Sequence, residues 1–149
     1  MCLFYAYFLA YLPMGLRLLL QINWSEGPWT MFSPSPKTKG FLPNVNNRQA
    51  VQNLVATSPL AARLNGAHLN QMEGYTFFAA GVLACMQAGV DAAVVEDCCI
   101  FFLACRAAFV AFYIIGVNNL IGNFRTGAWF GIVVIQAKLF FLAAAAASE

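Results

Sequence analysis

Between Cys98 and Val117 the chain runs apolar with a single charged interruption, Arg106. A helix rises about 1.5 Å per residue, so about twenty such residues match the roughly 30 Å hydrocarbon core of a bilayer. Runs of similar character recur at Met1–Ile22 and Ala128–Ala147, and a more polar one follows Pro59. Only 9% of the residues are charged, against about 25% in a soluble domain. Lipid offers the backbone no hydrogen bonds, so helices that satisfy their own amides are the natural solution for such runs. The expected fold class is all-α, an integral membrane four-helix transmembrane bundle forming one domain over residues 1–149. Its spans are expected at about 1–22, 60–88, 98–117 and 128–147, with a polar loop over 23–59.

The boundaries follow from local chemistry. No cation precedes the first run, so it reads as a retained helix rather than a signal peptide. Pro13 is placed to kink it, and Arg17 near its end is expected to snorkel to the interface. Five of the six prolines fall between Asn23 and Pro59, which excludes a continuous helix there. Trp24 and Trp29 in that loop suit the headgroup level. Ser58 followed by Pro59 reads as an N-cap and first helical position. The segment Asp91 to Asp97 reads as a short acidic connection, and Asn118 to Gly127 as a loop by its Asn and Gly content. Lys37, Lys39, Arg48 and Arg125 put the first and third loops on the cytoplasmic, stromal or matrix side, with both termini opposite.

The stretch Arg63–Phe78 carries most of the chemistry. At about 100° per residue, Gly66, Asn70, Glu73 and Phe77 form one stripe, with Arg63 further back on the same side. Ionisable groups at membrane depth face other helices or a wet cavity, so this stripe is expected to point inward. A bland reading stands beside this one: Asn70 and Glu73 bind helices together, and Arg106 forms an ion pair with Glu73. His68 lies well round the helix from Asn70 and is expected to be a structural hydrogen-bonder. Lys138 must snorkel, pair or touch another subunit.

Other functions find little support. The net charge of +2 and the lack of a basic cluster argue against a nucleic-acid partner. The cysteines, Cys2, Cys85, Cys98, Cys99 and Cys105, contain no C-x-x-C pair and accompany one histidine, so no metal site is expected and they read as packing residues. A channel or carrier would call for inverted repeats or paired broken helices, which are not seen.

Ala67-His68-Leu69-Asn70-Gln71-Met72-Glu73 and the following F-F-A-A-G-V-L-A resemble the second-helix signature of the MAPEG family, membrane-associated proteins in eicosanoid and glutathione metabolism. Asn44–Arg48 is similar to the family's D-N-x-x-P-R element, with Pro43 and Asn47 in place of its Asp and Pro. Arg106, Phe109 and Tyr113 are similar to the third-helix R-x-x-Y-x-x-x-Y pattern, and Arg125 with Trp129 to the entry of the fourth helix. Three positions depart from the family pattern: Gly66 where an arginine often stands, Phe109 for a tyrosine, and Thr76 for a proline.

The resemblance implies glutathione as co-substrate and a homotrimer with its site between subunits. Glutathione presents two carboxylates and an amine, which arginines and a carboxylate would bind. Asn70, Glu73, Arg48 and Arg106 are the implied binding residues. Arg125, Arg63 and Tyr113 are the implied catalytic ones, stabilising the thiolate. The implied function is a glutathione-dependent transferase or peroxidase acting on apolar, membrane-dissolved electrophiles. The alternative is a non-catalytic structural subunit of a larger membrane complex, in an endomembrane or an organelle. A lipid bilayer is the expected surroundings in either case.

Overall fold

The structure is a computed structural model that describes residues 1–21, 52, 55–116 and 118–148. Its main elements are helices α1 (Cys2–Gln21), α2 (Pro59–Gln87), α3 (Ala92–Ile115) and α4 (Asn119–Ala146). Three of them, α1, α3 and α4, are long and apolar enough to cross a membrane. Helix α2 has the length, but its polar residues keep it out of that group. It packs against α1, α3 and α4, and α3 packs in turn against α1 and α4.

The helix ends are written in the sequence. The Ser58 hydroxyl accepts from the Ala61 amide at 3.3 Å, and Pro59 occupies the first turn, where its missing N–H is not needed. At the other end Gly89 adopts φ +75°, a left-handed conformation that costs glycine little. It lets Gly89 N–H reach Met86 O and Val90 N–H reach Cys85 O, which closes the last turn. The Asp91 carboxylate then caps α3 through the Ala93 amide at 3.1 Å, so α2 and α3 form a tight antiparallel pair. Glu96 and Asp97 therefore sit in the first turns of α3 rather than in a connection. Likewise Asn118 caps α4 through the Ile121 amide, which makes 119–127 helical rather than a loop and places Arg125 on α4.

The core is aromatic and aliphatic. Phe78 of α2 stacks on Phe102 of α3 with ring centres 3.7 Å apart and planes 4° from parallel. Ile132 and Leu139 of α4 close around this pair, both buried. Helix α1 is tied to α2 by polar bonds. Pro13 lies inside α1 and has no N–H, so the helix lacks one backbone hydrogen bond in that turn. The His68 ring reaches Ala10 O at 2.9 Å, so Nδ1 carries the proton and donates, as expected of a structural histidine. Arg17 does not snorkel. It is buried, and its Nη1 donates to the Asn65 side-chain oxygen.

Candidate functional site

The inward face of α2 is not the stripe expected from the sequence. Ala61, Leu64, Ala67, Gln71, Phe78, Val82 and Cys85 are buried, whereas Gly66 and Asn70 are half-buried and Glu73 and Phe77 are exposed. Gly66, Asn70, Glu73 and Phe77 do share one side, but Gly66 faces Tyr113 of α3, while Asn70, Glu73 and Phe77 wall a groove between α2 and α4 that is open within one chain.

That groove holds about 480 Å³ and is lined by Asn70, Glu73, Gly74, Arg106 and Gln136 among its polar and small residues. Phe77, Trp129, Val133 and Phe140 supply its apolar wall. A smaller hollow of about 240 Å³ adjoins it, lined by Tyr113, Arg125 and Thr126. Asn70 and Trp129 are common to both. Arg125 also lines a third, polar hollow at the turn between α3 and α4, beside Asn118 and Asn119. The two guanidinium groups of Arg106 and Arg125 thus flank Asn70 along one continuous surface.

Glycines make this geometry possible. A Cβ on Gly74 would stand 1.1 Å from Arg106 Nη2, so the guanidinium crosses α2 only because residue 74 has no side chain. There Nη1 donates to the Asn70 main-chain oxygen at 3.1 Å, and the guanidinium lies 5.2 Å from the Phe102 ring centre. Gln71 donates to the Arg106 main-chain oxygen at 3.4 Å, and Gln136 donates to Gly74 O at 2.7 Å. Among the described residues no ion pair joins Arg106 to Glu73, so the charge pair of the bland reading gives way to a charge–carbonyl bond. Gly66 has a similar role: a Cβ there would be 2.6 Å from the Tyr113 hydroxyl oxygen. The phenol occupies the space beside Gly66, and Arg125 stacks over its ring at 4.7 Å.

The seven residues singled out in the sequence therefore fall into three groups. Asn70, Glu73, Arg106, Tyr113 and Arg125 come together along one surface. Arg63 is half-buried, lines none of these hollows, and leaves its Nε buried without a hydrogen-bond partner. Arg48 lies outside the described residues. Sequence reasoning assigned no role to Gly74, Gln71 and Gln136. The signal for Gly74 was present: a glycine beside the motif glutamate, where a neighbouring helix carries a buried arginine.

The sequence matches the model of the MAPEG family over residues 2–145. The chain belongs to the MAPEG family. Membership and the three apolar helices make it a multi-pass integral membrane protein. Comparison with curated proteins and with solved structures gives no match. The family assignment covers the helices that build the groove, so the motif residues Asn70 and Glu73 lie within the matched region.

Proposed function

We propose that this MAPEG-family chain is a four-helix transmembrane bundle that uses glutathione as co-substrate, as a transferase or peroxidase acting on apolar electrophiles dissolved in the bilayer. The observation that carries this reading is the position of Asn70, which forms the shared wall of two hollows. One holds Glu73 and Arg106, and the other holds Tyr113 and Arg125. Glutathione has two carboxylates and one amine. Arginines recognise carboxylates through paired donors, and Glu73 offers a carboxylate for the amine. The Phe77, Val133 and Phe140 wall suits an apolar second substrate arriving from the lipid.

A free thiol has a pKa of about 8.5 and is mostly protonated at neutral pH, so the site needs positive charge near sulfur. Arg106 already donates to a main-chain carbonyl. In this reading Arg125, stacked on the Tyr113 ring, supplies the guanidinium that meets the sulfur. In a transfer the sulfur lone pair forms the new C–S bond and the leaving group departs with its electron pair. With a hydroperoxide, two glutathione thiols become one disulfide while the O–O bond is reduced to an alcohol and water. Because the groove is open along one side in a single chain, a homotrimer with copies lining the site is the assembly that fits this reading.

Glutathione titration of the full chain in detergent micelles tests it, read by calorimetry and by thiolate absorbance in the ultraviolet. Saturable binding with thiolate formation is expected. Arg125→Leu should keep the heat of binding and lose the thiolate signal, and Asn70→Leu should lose both. A folded wild-type chain that binds no glutathione overturns the proposal and leaves a structural subunit in the family fold.

A further inference from the structure

Cysteines scattered along the sequence come together at one end of the bundle. Cys2 opens α1, Cys85 lies in the last turn of α2, and Cys98 and Cys99 sit about two turns into α3. The topology explains the meeting. Ala10 and Tyr7 of α1 meet His68 and Tyr75 of α2, so these helices are antiparallel. Phe102 and Arg106 of α3 meet Phe78 and Gly74, so α3 is antiparallel to α2 as well. Both partners of α2 therefore run the same way, and the start of α1 comes level with the start of α3. There Cys85, Cys98 and Cys99 belong to one buried apolar cluster, and Cys2 packs against it. Among the described residues no three of His, Cys, Asp or Glu converge as a metal site, so the chemistry open to this cluster is that of thiol pairs.

The thiols are not equivalent. Cys85 Sγ donates to Leu139 O at 3.1 Å, which turns it toward α4. Cys98 and Cys99 are buried, and the hydrogen-bonding neighbour of the Cys99 thiol is the Cys2 thiol. Cys2 is half-buried, so of these four it is the thiol that a dissolved reagent meets. It also stands on a backbone free to adjust. The polar bonds of α1 to α2 are made at Ala10 and Arg17, well away from Cys2, and helix ends fray. An S–S bond is about 2.05 Å long, so two neighbouring thiols must draw together to form one. The first residue of α1 can supply that movement.

We propose that Cys2 and Cys99 are a disulfide site, joined in an oxidising medium and parted in a reducing one, and that the bridge fastens the start of α1 to α3. The oxidant is a low-molecular-weight disulfide. Cys2 gives its proton to solvent, and its sulfur attacks one sulfur of the reagent, forming a mixed disulfide and expelling one small thiolate. Cys99 sulfur then attacks Cys2 sulfur, and its proton passes to the second departing thiolate. Two protein thiols are oxidised, and the reagent is reduced to two small thiols. The expected orientation suits this chemistry. Lys37, Lys39, Arg48 and Arg125 put the basic loops on one side and the start of α1 on the other. In a secretory membrane that other side is the lumen, where disulfides persist. The bridge does not depend on glutathione, because none of these cysteines lines the groove or its adjoining hollow.

Cystamine and its reduced form, cysteamine, set the redox poise around the full chain in detergent micelles. Free thiols are then capped with N-ethylmaleimide, and peptides are mapped by mass spectrometry from the monomer band of a non-reducing gel. A Cys2–Cys99 peptide pair is expected, gained at a high share of cystamine and lost at a high share of cysteamine. Cys2 arrested as a mixed disulfide, joined to Cys98 or to a second copy, or left unmodified overturns the proposal. Cys99→Ala should arrest Cys2 as the mixed disulfide, whereas Cys98→Ala should leave the bridge forming. The oxidised chain should also unfold at a higher fraction of denaturing detergent than the reduced one, a shift that Cys99→Ala abolishes. A bridged chain that unfolds at the same fraction as the reduced chain overturns the fastening. A chain that forms the bridge but binds no glutathione would sink the functional reading and leave this one standing.

Discussion

Gly74→Ala puts the cradle of Arg106 to a quantitative test. The new Cβ would stand 1.1 Å from Nη2 and 2.4 Å from Cζ, far inside any real contact, so the guanidinium must move. It cannot move far without giving up its bond to the Asn70 main-chain oxygen, now 3.1 Å. A hydrogen bond from a charged donor contributes about 1.5–3 kcal/mol. Replacing a glycine inside a helix by alanine returns about 1 kcal/mol of helix propensity. The net expectation is a loss of roughly 0.5–2 kcal/mol. Gly127→Ala on α4 is the control, because nothing lies within 4 Å of a Cβ there. It should stabilise by up to about 1 kcal/mol. Two identical substitutions in helices of one protein are thus expected to have opposite signs. Unfolding of the full chain in micelles titrated with denaturing detergent, followed by tryptophan fluorescence, measures both. The reasoning fails if Gly74→Ala is as stabilising as Gly127→Ala. It fails equally if Gly74→Ala costs the same with Arg106 already replaced by alanine, since the cycle isolates their coupling.

Two further substitutions probe the same packing. Gly66→Ala should lower the melting temperature, because its Cβ meets the Tyr113 hydroxyl at 2.6 Å and overpacking costs about 1–3 kcal/mol. Tyr113→Phe in the same chain removes that oxygen and should recover most of the loss. Asn65→Leu should cost about 1.5–3 kcal/mol in the same unfolding assay, because it strips buried Arg17 of its acceptor. An Asn65→Leu chain as stable as wild type would mean that Arg17 finds water or a carbonyl instead.

Some of this architecture was legible in the residues alone. Ser58-Pro59 announced the start of α2 because a hydroxyl acceptor followed by a residue without N–H satisfies a helix N-terminus and little else. The segment from Asn118 misled for a related reason. Asparagine and glycine signal a loop in water, yet Asn118 serves as a cap, and Gly122 and Gly127 sit on open helix surface where nothing crowds them. The helical wheel grouped Gly66, Asn70, Glu73 and Phe77 on one side, but Glu73 and Phe77, expected inside, are exposed within one chain. In water an apolar face reports the inside. In lipid both faces of a helix are apolar, so polarity reports only that a stripe needs company, and the company can belong to another chain. Gln71, which the wheel set apart from the motif stripe, is the side chain that turned inward.

Arg106 shows why the charge pattern could not reveal the site. Opposite charges on neighbouring helices suggested a pair, but a missing Cβ at Gly74 let the guanidinium reach a main-chain carbonyl instead. The difference matters for what the groove can hold. A contact pair between Glu73 and Arg106 would have spent both charges on each other. A carbonyl bond orients the guanidinium while leaving it cationic, and Glu73 stands at the groove wall with no ion pair among the described residues. Together with Arg125, the surface around Asn70 presents two guanidiniums and one carboxylate. Under the proposed reading the ligand brings two carboxylates and one amine, the complement of that set. Under that same reading, the glycine that lets Arg106 bond a main-chain carbonyl would also leave the charges of the groove to the ligand.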